Sequence, residues 1–247
     1  MKIEEITVKS VLSKSKVYDY AVNPYRGCSN ACRYCYAAFM RRFTAHPEPW
    51  GQFVDAKINA PELLAKEIRR KPKRRVWVSG VCDPYQPAEK KYRLTRKCLE
   101  ILLGRDWPVT IQTKSALVLR DIDILKWSEQ VEVGFSVTTA EEKIRRIFEP
   151  GASAIRERVN ALKSLHAHGI TTFVMIAPLL PGAEKLPCEL AGAVDFVLVD
   201  RLNYHYADRF YRAHHLEWAL TDSFFAEKGE ELKKGFESEG IAVNALF

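Results

Sequence analysis

The chain has 247 residues, 47% of them hydrophobic and 11% aromatic, which supplies a packed core and excludes global disorder. No apolar run approaches the roughly 20 residues needed to cross a bilayer, so a membrane-spanning protein is not expected. Lys and Arg number 38 against 31 Asp and Glu, a net charge of +7 that fits either phosphate contacts or a solvated surface.

Residues 1–17, MKIEEITVKSVLSKSKV, carry no apolar signal core and no small-residue cleavage site, so a cytoplasmic location is expected. Thiols stay reduced there, and clustered cysteines then bind metal or do chemistry rather than form disulfides. A first strand is expected at 21–25, AVNPY, and the span that follows, RGCSNACRYCYA, holds three of the six cysteines. NAPELLAKEIRRK predicts a helix with Asn59 as N-cap, Pro61 in the first turn and Leu64 and Ile68 facing inward. The basic run RRKPKRR leads into a strand at 75–80, and VCDPYQPAE reads as a Pro-bounded turn that Asp83 can cap. RLTRKCLEILLG places Leu94, Cys98, Ile101 and Leu102 on one stripe and ends at Gly104. Strands are expected at 108–114 and 131–139, then a helix from a Ser153 cap to Gly169 with Ile155, Val159, Leu162 and Leu165 buried. Strands at 171–179 and 196–202 follow, and one or two helices between Asp208 and Gly240.

Most of these strands are apolar almost throughout, as parallel strands covered on both faces are. Strand and helix alternating about six times predict an α/β fold, a partial (β/α)6 TIM-like barrel with C-terminal helices; a doubly wound open sheet is the alternative. The chain is read as one domain, 1–247, with a core at about 20–205 and a helical extension at about 206–247.

Cys28, Cys32 and Cys35 are spaced C-x3-C-x2-C directly after the first strand, hence in a βα loop, where parallel α/β folds carry their ligand sites. Three thiolates can hold three irons of a [4Fe–4S] cluster and leave the fourth open to a small chelator. The alternative is zinc, which needs four ligands, so a residue such as His46 or Cys82 would have to complete the set.

The RGCSNACRYCYA stretch resembles the cluster loop of radical S-adenosylmethionine (SAM) enzymes. The wider chain is similar to the spore photoproduct lyase-like branch, often labelled DNA repair photolyase, through VSGVCDPYQPAEKKYRLTRKCLEIL, TKS, FSVTT, IFEPGAS and MIAPLLPG, roughly residues 20–182. The resemblance implies that Cys28, Cys32 and Cys35 bind a [4Fe–4S] cluster and that SAM chelates its free iron. It implies that Tyr34 packs near the adenine, that the strand end at Gly80 meets the amino group of SAM, and that Lys114 and Ser136 contact its carboxylate. Asp83 anchors either the loop or the ligand. Arg158 either braces a helix by pairing with Glu149 or reaches SAM. Cys82 is the candidate hydrogen donor, set against a packing role; Cys98 and Cys188 are expected to be structural. The aromatic and His-rich stretch Tyr204–His215 lies where a substrate pocket is expected, and His214–His215 reads as helix surface.

The implied activity is reductive cleavage of SAM to a 5′-deoxyadenosyl radical that abstracts hydrogen from a substrate. An external flavodoxin- or ferredoxin-type donor is implied, since no second C-x2-C motif is present. The leading substrate class is nucleic acid or a nucleotide-like molecule. A small metabolite or peptide is the alternative, as is an iron–sulfur binding or regulatory protein without turnover.

Overall fold

The computed structural model describes residues 1–246. Its strands are β1 (Lys2–Ile6), β2 (Leu12–Lys14), β3 (Tyr20–Val22), β4 (Tyr25–Arg26), β5 (Phe53–Lys57), β6 (Val76–Val78), β7 (Val109–Thr113), β8 (Val131–Ser136), β9 (Thr171–Ile176), β10 (Phe196–Val199) and β11 (Ala242–Ala245). The helices are α1 (Ala60–Glu67), α2 (Ala88–Tyr92), α3 (Leu94–Leu103), α4 (Ile122–Leu125), α5 (Glu142–Phe148), α6 (Ile155–Ala167), α7 (Leu186–Leu190), α8 (Asp208–Ala213) and α9 (Asp222–Ser238).

Eight strands form one sheet in the order β11-β10-β9-β8-β7-β6-β3-β2. Every neighbouring pair from β3 to β11 is parallel, and β2 closes one edge antiparallel to β3. The order never reverses, whereas a doubly wound sheet has a reversal at its switch point. The fold is therefore mixed α/β with a parallel sheet of the partial TIM-barrel kind. The expected strands correspond to β3 with β4, then β6 to β10. A second sheet, β1-β5-β4, lies outside that plan; β1 pairs with β5 from Lys2↔Phe53 to Ile6↔Lys57, and no local pattern reports a partner 51 residues away.

The strands are apolar because both faces are covered. Val76, Val78, Val109, Ile111, Val133, Phe135, Val174, Ile176 and Val197 are all completely buried in one cluster, with Leu64, Cys98, Leu99, Leu102, Leu162 and Leu165 from the helices. The predicted inward faces of α1, α3 and α6 are thus correct at these positions, but two caps differ. Asn59 does not cap α1; its amide clamps the backbone of Val8 through Oδ1 at 3.0 Å and Nδ2 at 2.9 Å. Ser153 lies before α6, whose first turn is held by Glu157 accepting from the Ala154 amide at 3.2 Å. Cys98 is buried as expected, while Cys188 is exposed and is not a packing residue. The C-terminal stretch forms α8 and α9, and then returns as β11 on the edge of β10.

Candidate functional site

The C-terminal ends of the parallel strands open into a cavity of about 640 Å³, within the size range of small-molecule sites. Cys28, Cys32 and Cys35 line it together with Tyr34, Gly80, Cys82, Asp83, Lys114 and Ser136. Nine of the ten residues singled out from the sequence therefore converge; Arg158 lies behind the wall.

The cluster loop leaves β4 at Gly27, where φ is +85° and an added Cβ would strike the Phe53 carbonyl, so glycine is required at that turn. From there the loop is gripped by DPYQPAE through side chains three residues apart. Glu89 accepts from the Tyr25 hydroxyl at 2.5 Å. The Gln86 amide accepts from Ser29 N at 3.0 Å and donates to the Gly27 carbonyl at 3.2 Å. Asp83 accepts from Asn30 Nδ2 at 2.8 Å. Asp83 also accepts from Tyr85 N at 2.9 Å, Thr113 Oγ1 at 2.6 Å and Lys114 N at 2.8 Å. Its two oxygens are thus committed to four donors, which supports the anchoring reading over ligand contact. Gln86, Glu89 and Asn30 were not singled out from the sequence. Their signal was the period of three in DPYQPAE, which registers with the loop only once the two segments lie side by side.

Burial pushes the thiols up: Cys28 well above its ordinary value, Cys32 to about 12 despite the nearby Lys114 cation, and Cys35 upward. The apoprotein thus holds three S–H groups that must lose protons when a metal arrives. Among the described residues, the ligand atoms that gather in threes within 4.8 Å belong to Glu4, His46 and Asp55. The three thiols are therefore spread more widely than the roughly 3.8 Å edges of a tetrahedron with Zn–S bonds of about 2.3 Å. That spread suits a larger inorganic cluster. His46 is committed to Asp55 at 2.7 Å and stacks on Phe53 at 4.1 Å between ring centroids. Arg26 holds the other Asp55 oxygen at 2.6 Å, and Lys2 holds Glu4 at 2.8 Å, so this group is an ion-pair network.

Behind the loop lies a buried charge cluster. Glu149, fully buried, meets Arg158 Nη1 at 2.6 Å, Lys114 Nζ at 3.8 Å, Thr138 Oγ1 at 3.1 Å and the Tyr34 hydroxyl. Burial would raise the Glu149 carboxyl, but Arg158 and Lys114 overcome this and hold it below its ordinary value. Burial would likewise lower Lys114, but Cys32 and Glu149 outweigh it and the ammonium is held raised. Lys114 and Ser136 thus stand on one cavity wall, a cation and a hydroxyl suited to an anionic group. Arg158 also donates to the Ser136 carbonyl at 2.9 Å and the Ser153 carbonyl at 2.9 Å, fixing the strand end that presents the Ser136 hydroxyl. That hydroxyl accepts from Gln112 Nε2 at 3.0 Å. Gly80 lies beside the Trp77 ring, 3.0 Å from where a Cβ would stand, and its carbonyl accepts from the Tyr36 hydroxyl. The Cys82 thiol, half-buried, faces the Tyr25 carbonyl at 3.4 Å, and burial pushes it up to about 11. Of the aromatic stretch, Tyr204 lines the cavity, Tyr211 is core against Phe148 at 4.7 Å, and His214 and His215 are exposed.

Residues 22–185 match the family described as the Radical SAM superfamily. An uncharacterized protein of Methanocaldococcus jannaschii is 33% identical over 230 residues, covering 91% of this chain and 86% of its own length. An uncharacterized protein of Mycobacterium tuberculosis is 33% identical over 190 residues, but the chain spans only 56% of its length. A radical SAM Nalpha-GlyT isomerase of Pseudomonas phage M6 is 24% identical over 165 residues, 64% of this chain and 33% of that protein. In structure, spore photoproduct lyase complexed with dinucleoside spore photoproduct superposes with a TM-score of 0.74, covering 98% of this chain and 82% of that one. Its sequence identity is 16%, so this likeness is one of fold. A variant of the same lyase with bound AdoMet superposes with a TM-score of 0.73 at 16% identity, covering 98% and 80% of the two chains.

Proposed function

The chain belongs to the radical SAM superfamily, whose enzymes use a [4Fe–4S] cluster and S-adenosylmethionine and need an electron donor, and from this we propose that it acts on a nucleobase of DNA, in the manner of a repair lyase. When bound, the cluster and SAM together supply a 5′-deoxyadenosyl radical that abstracts a substrate hydrogen. Everything else falls to the protein. Cys28, Cys32 and Cys35 would hold the cluster. Lys114 and Ser136 would hold the SAM carboxylate, the Gly80 strand end would lie along its amino group, and Tyr34, pinned by Glu149, would pack by the adenine. Asp83 and Arg158 act through these groups as positioning residues.

The observation that carries the reading is the convergence of three thiols, a buried ammonium and a hydroxyl on one cavity at the strand ends. The nucleobase reading draws on the dinucleoside in the lyase complex and on the net charge of +7. Cys82, in the same cavity and protonated at neutral pH, suits return of a hydrogen atom to a product radical. A flavodoxin- or ferredoxin-type partner would deliver the electron.

Protein purified without oxygen, reconstituted with iron and sulfide and given dithionite and SAM should release 5′-deoxyadenosine. Replacing Cys28, Cys32 and Cys35 with Ala should abolish both the brown colour and the product; a triple variant that stays brown and active would overturn the site. If Cys82 returns the hydrogen, Cys82→Ala should lower product yield while leaving 5′-deoxyadenosine formation in place.

A further inference from the structure

Exposed aromatic side chains stand at the cavity mouth and beside it. Tyr36 and Tyr204 line it, 41% and 50% exposed. Tyr36 begins a 3₁₀ helix, Tyr36–Phe43, in which residues three apart eclipse one another. Tyr36, Phe39 and Arg42 therefore form one row leading away from the mouth. Phe43, 62% exposed, meets Phe39 edge-on at 6.3 Å. On the other side the Tyr204 and Tyr206 rings stack at 5.7 Å with 10° between their planes, Tyr206 being 48% exposed. Tyr36 and Tyr204 line the same cavity, so the two sets of rings face one mouth.

Arg26, Arg75, Arg96, Arg120, Arg145 and Arg158 all pair with carboxylates. The Arg42 guanidinium instead lies over Phe39 at 5.5 Å and Phe43 at 5.7 Å, and makes no ion pair among the described residues. Arg33, in the cluster loop, and Arg209 likewise face the Phe210 ring, at 4.8 and 4.7 Å, with no carboxylate partner among those residues. Arg201 in the cavity wall is taken by Asp222 at 2.6 Å, and Asp200 beside it is bonded by Arg201 N and Asn203 Nδ2. Open ring faces beside unpaired guanidinium groups are what unpaired bases and their phosphates require. A duplex hides its base faces, and a cavity can work only on a base already out of the stack.

We infer that the rim formed by Tyr36, Phe39, Arg42 and Phe43 on one side and Tyr204 and Tyr206 on the other binds an unpaired segment of DNA, stacking the bases that flank the nucleotide in the cavity. This rests on the nucleobase reading above. Reconstituted protein is titrated against a fluorescently labelled single-stranded DNA oligonucleotide, the same sequence as a duplex and as RNA, followed by anisotropy from about 50 to 200 mM salt. The single DNA strand should bind at least about 10-fold more tightly than the duplex. Phe43→Ala and Tyr206→Ala should each weaken it about 5- to 100-fold, and Arg42→Ala should shallow the log–log salt slope by about 0.7. Retained iron content shows that the variants are folded. Duplex or RNA binding as tight as the single DNA strand, or unchanged affinity in both aromatic variants, overturns the rim proposal and leaves the nucleobase reading standing. Failure to bind any of the three at the lowest salt removes both and gives the rim to a protein partner.

Discussion

Glu149 concentrates more of the site's electrostatics than any residue that touches the cavity. Removing one partner from a buried ion pair strands the other and costs about 3–5 kcal/mol. Glu149→Gln, which removes the carboxylate between Arg158 and Lys114, should therefore lower the melting temperature by about 6–20 °C. Because the folded-state carboxyl sits below its ordinary 4.5, its stabilisation is present above that value and lost as pH falls through the depressed one. The wild type should accordingly lose melting temperature below about pH 4.5 more steeply than the Gln variant, as scanning calorimetry across pH would register. Lys114→Met should leave the fold intact and weaken SAM binding about 10- to 100-fold, the worth of a charge-assisted hydrogen bond; equal affinity in calorimetric titrations would remove Lys114 from the carboxylate contact.

At the scale of elements, the contact between DPYQPAE and the cysteine loop decides how the three thiols are presented. Gln86→Ala strands the Ser29 amide and the Gly27 carbonyl in a buried place, at about 1–3 kcal/mol for each. The expected result is faster iron loss to a chelator, measured by absorbance, with little change in far-ultraviolet dichroism. The strands and inward helix faces were legible because burial on both sides writes apolar runs and a 3.6-residue stripe directly into the letters. The three cysteines were legible because three of six fall within eight residues of one loop. What could not be read was pairing across distance. β1, with its charged KIEEI, is an edge that packing barely constrains, and β5 becomes a strand between it and β4. Asn59 looked like a cap because its neighbours are helical, yet Val8 competes for the same amide. Asp83 was undecided between anchor and ligand until four donors were seen to surround it. The exposure of Cys188 and the placement of Tyr204 depend on how α7 and the segment after β10 pack, which no local window contains.

For the whole molecule, the C-terminal return is not a passive appendage. Phe224, Phe225, Leu232 and Phe236 of α9 are all buried, and at about 1.5–3 kcal/mol each their burial rivals the net stability of a whole domain. A chain ending at Thr221 should fail to accumulate as soluble protein; a truncated form with a cooperative melt would contradict this. The sheet ends in β2 on one side and β11 on the other. The turn after β2 and the residue after β11 both reach the cavity, through Val17 and Leu246. A curled sheet that never meets itself behaves as a caliper: the gap between its jaws follows strand twist, with no ring of backbone bonds to hold it fixed. Guests of unequal bulk can then be gripped by small changes of coil, and amide exchange at Leu12–Lys14 and Ala242–Ala245 should slow on closure, even though neither strand carries a ligand contact of its own.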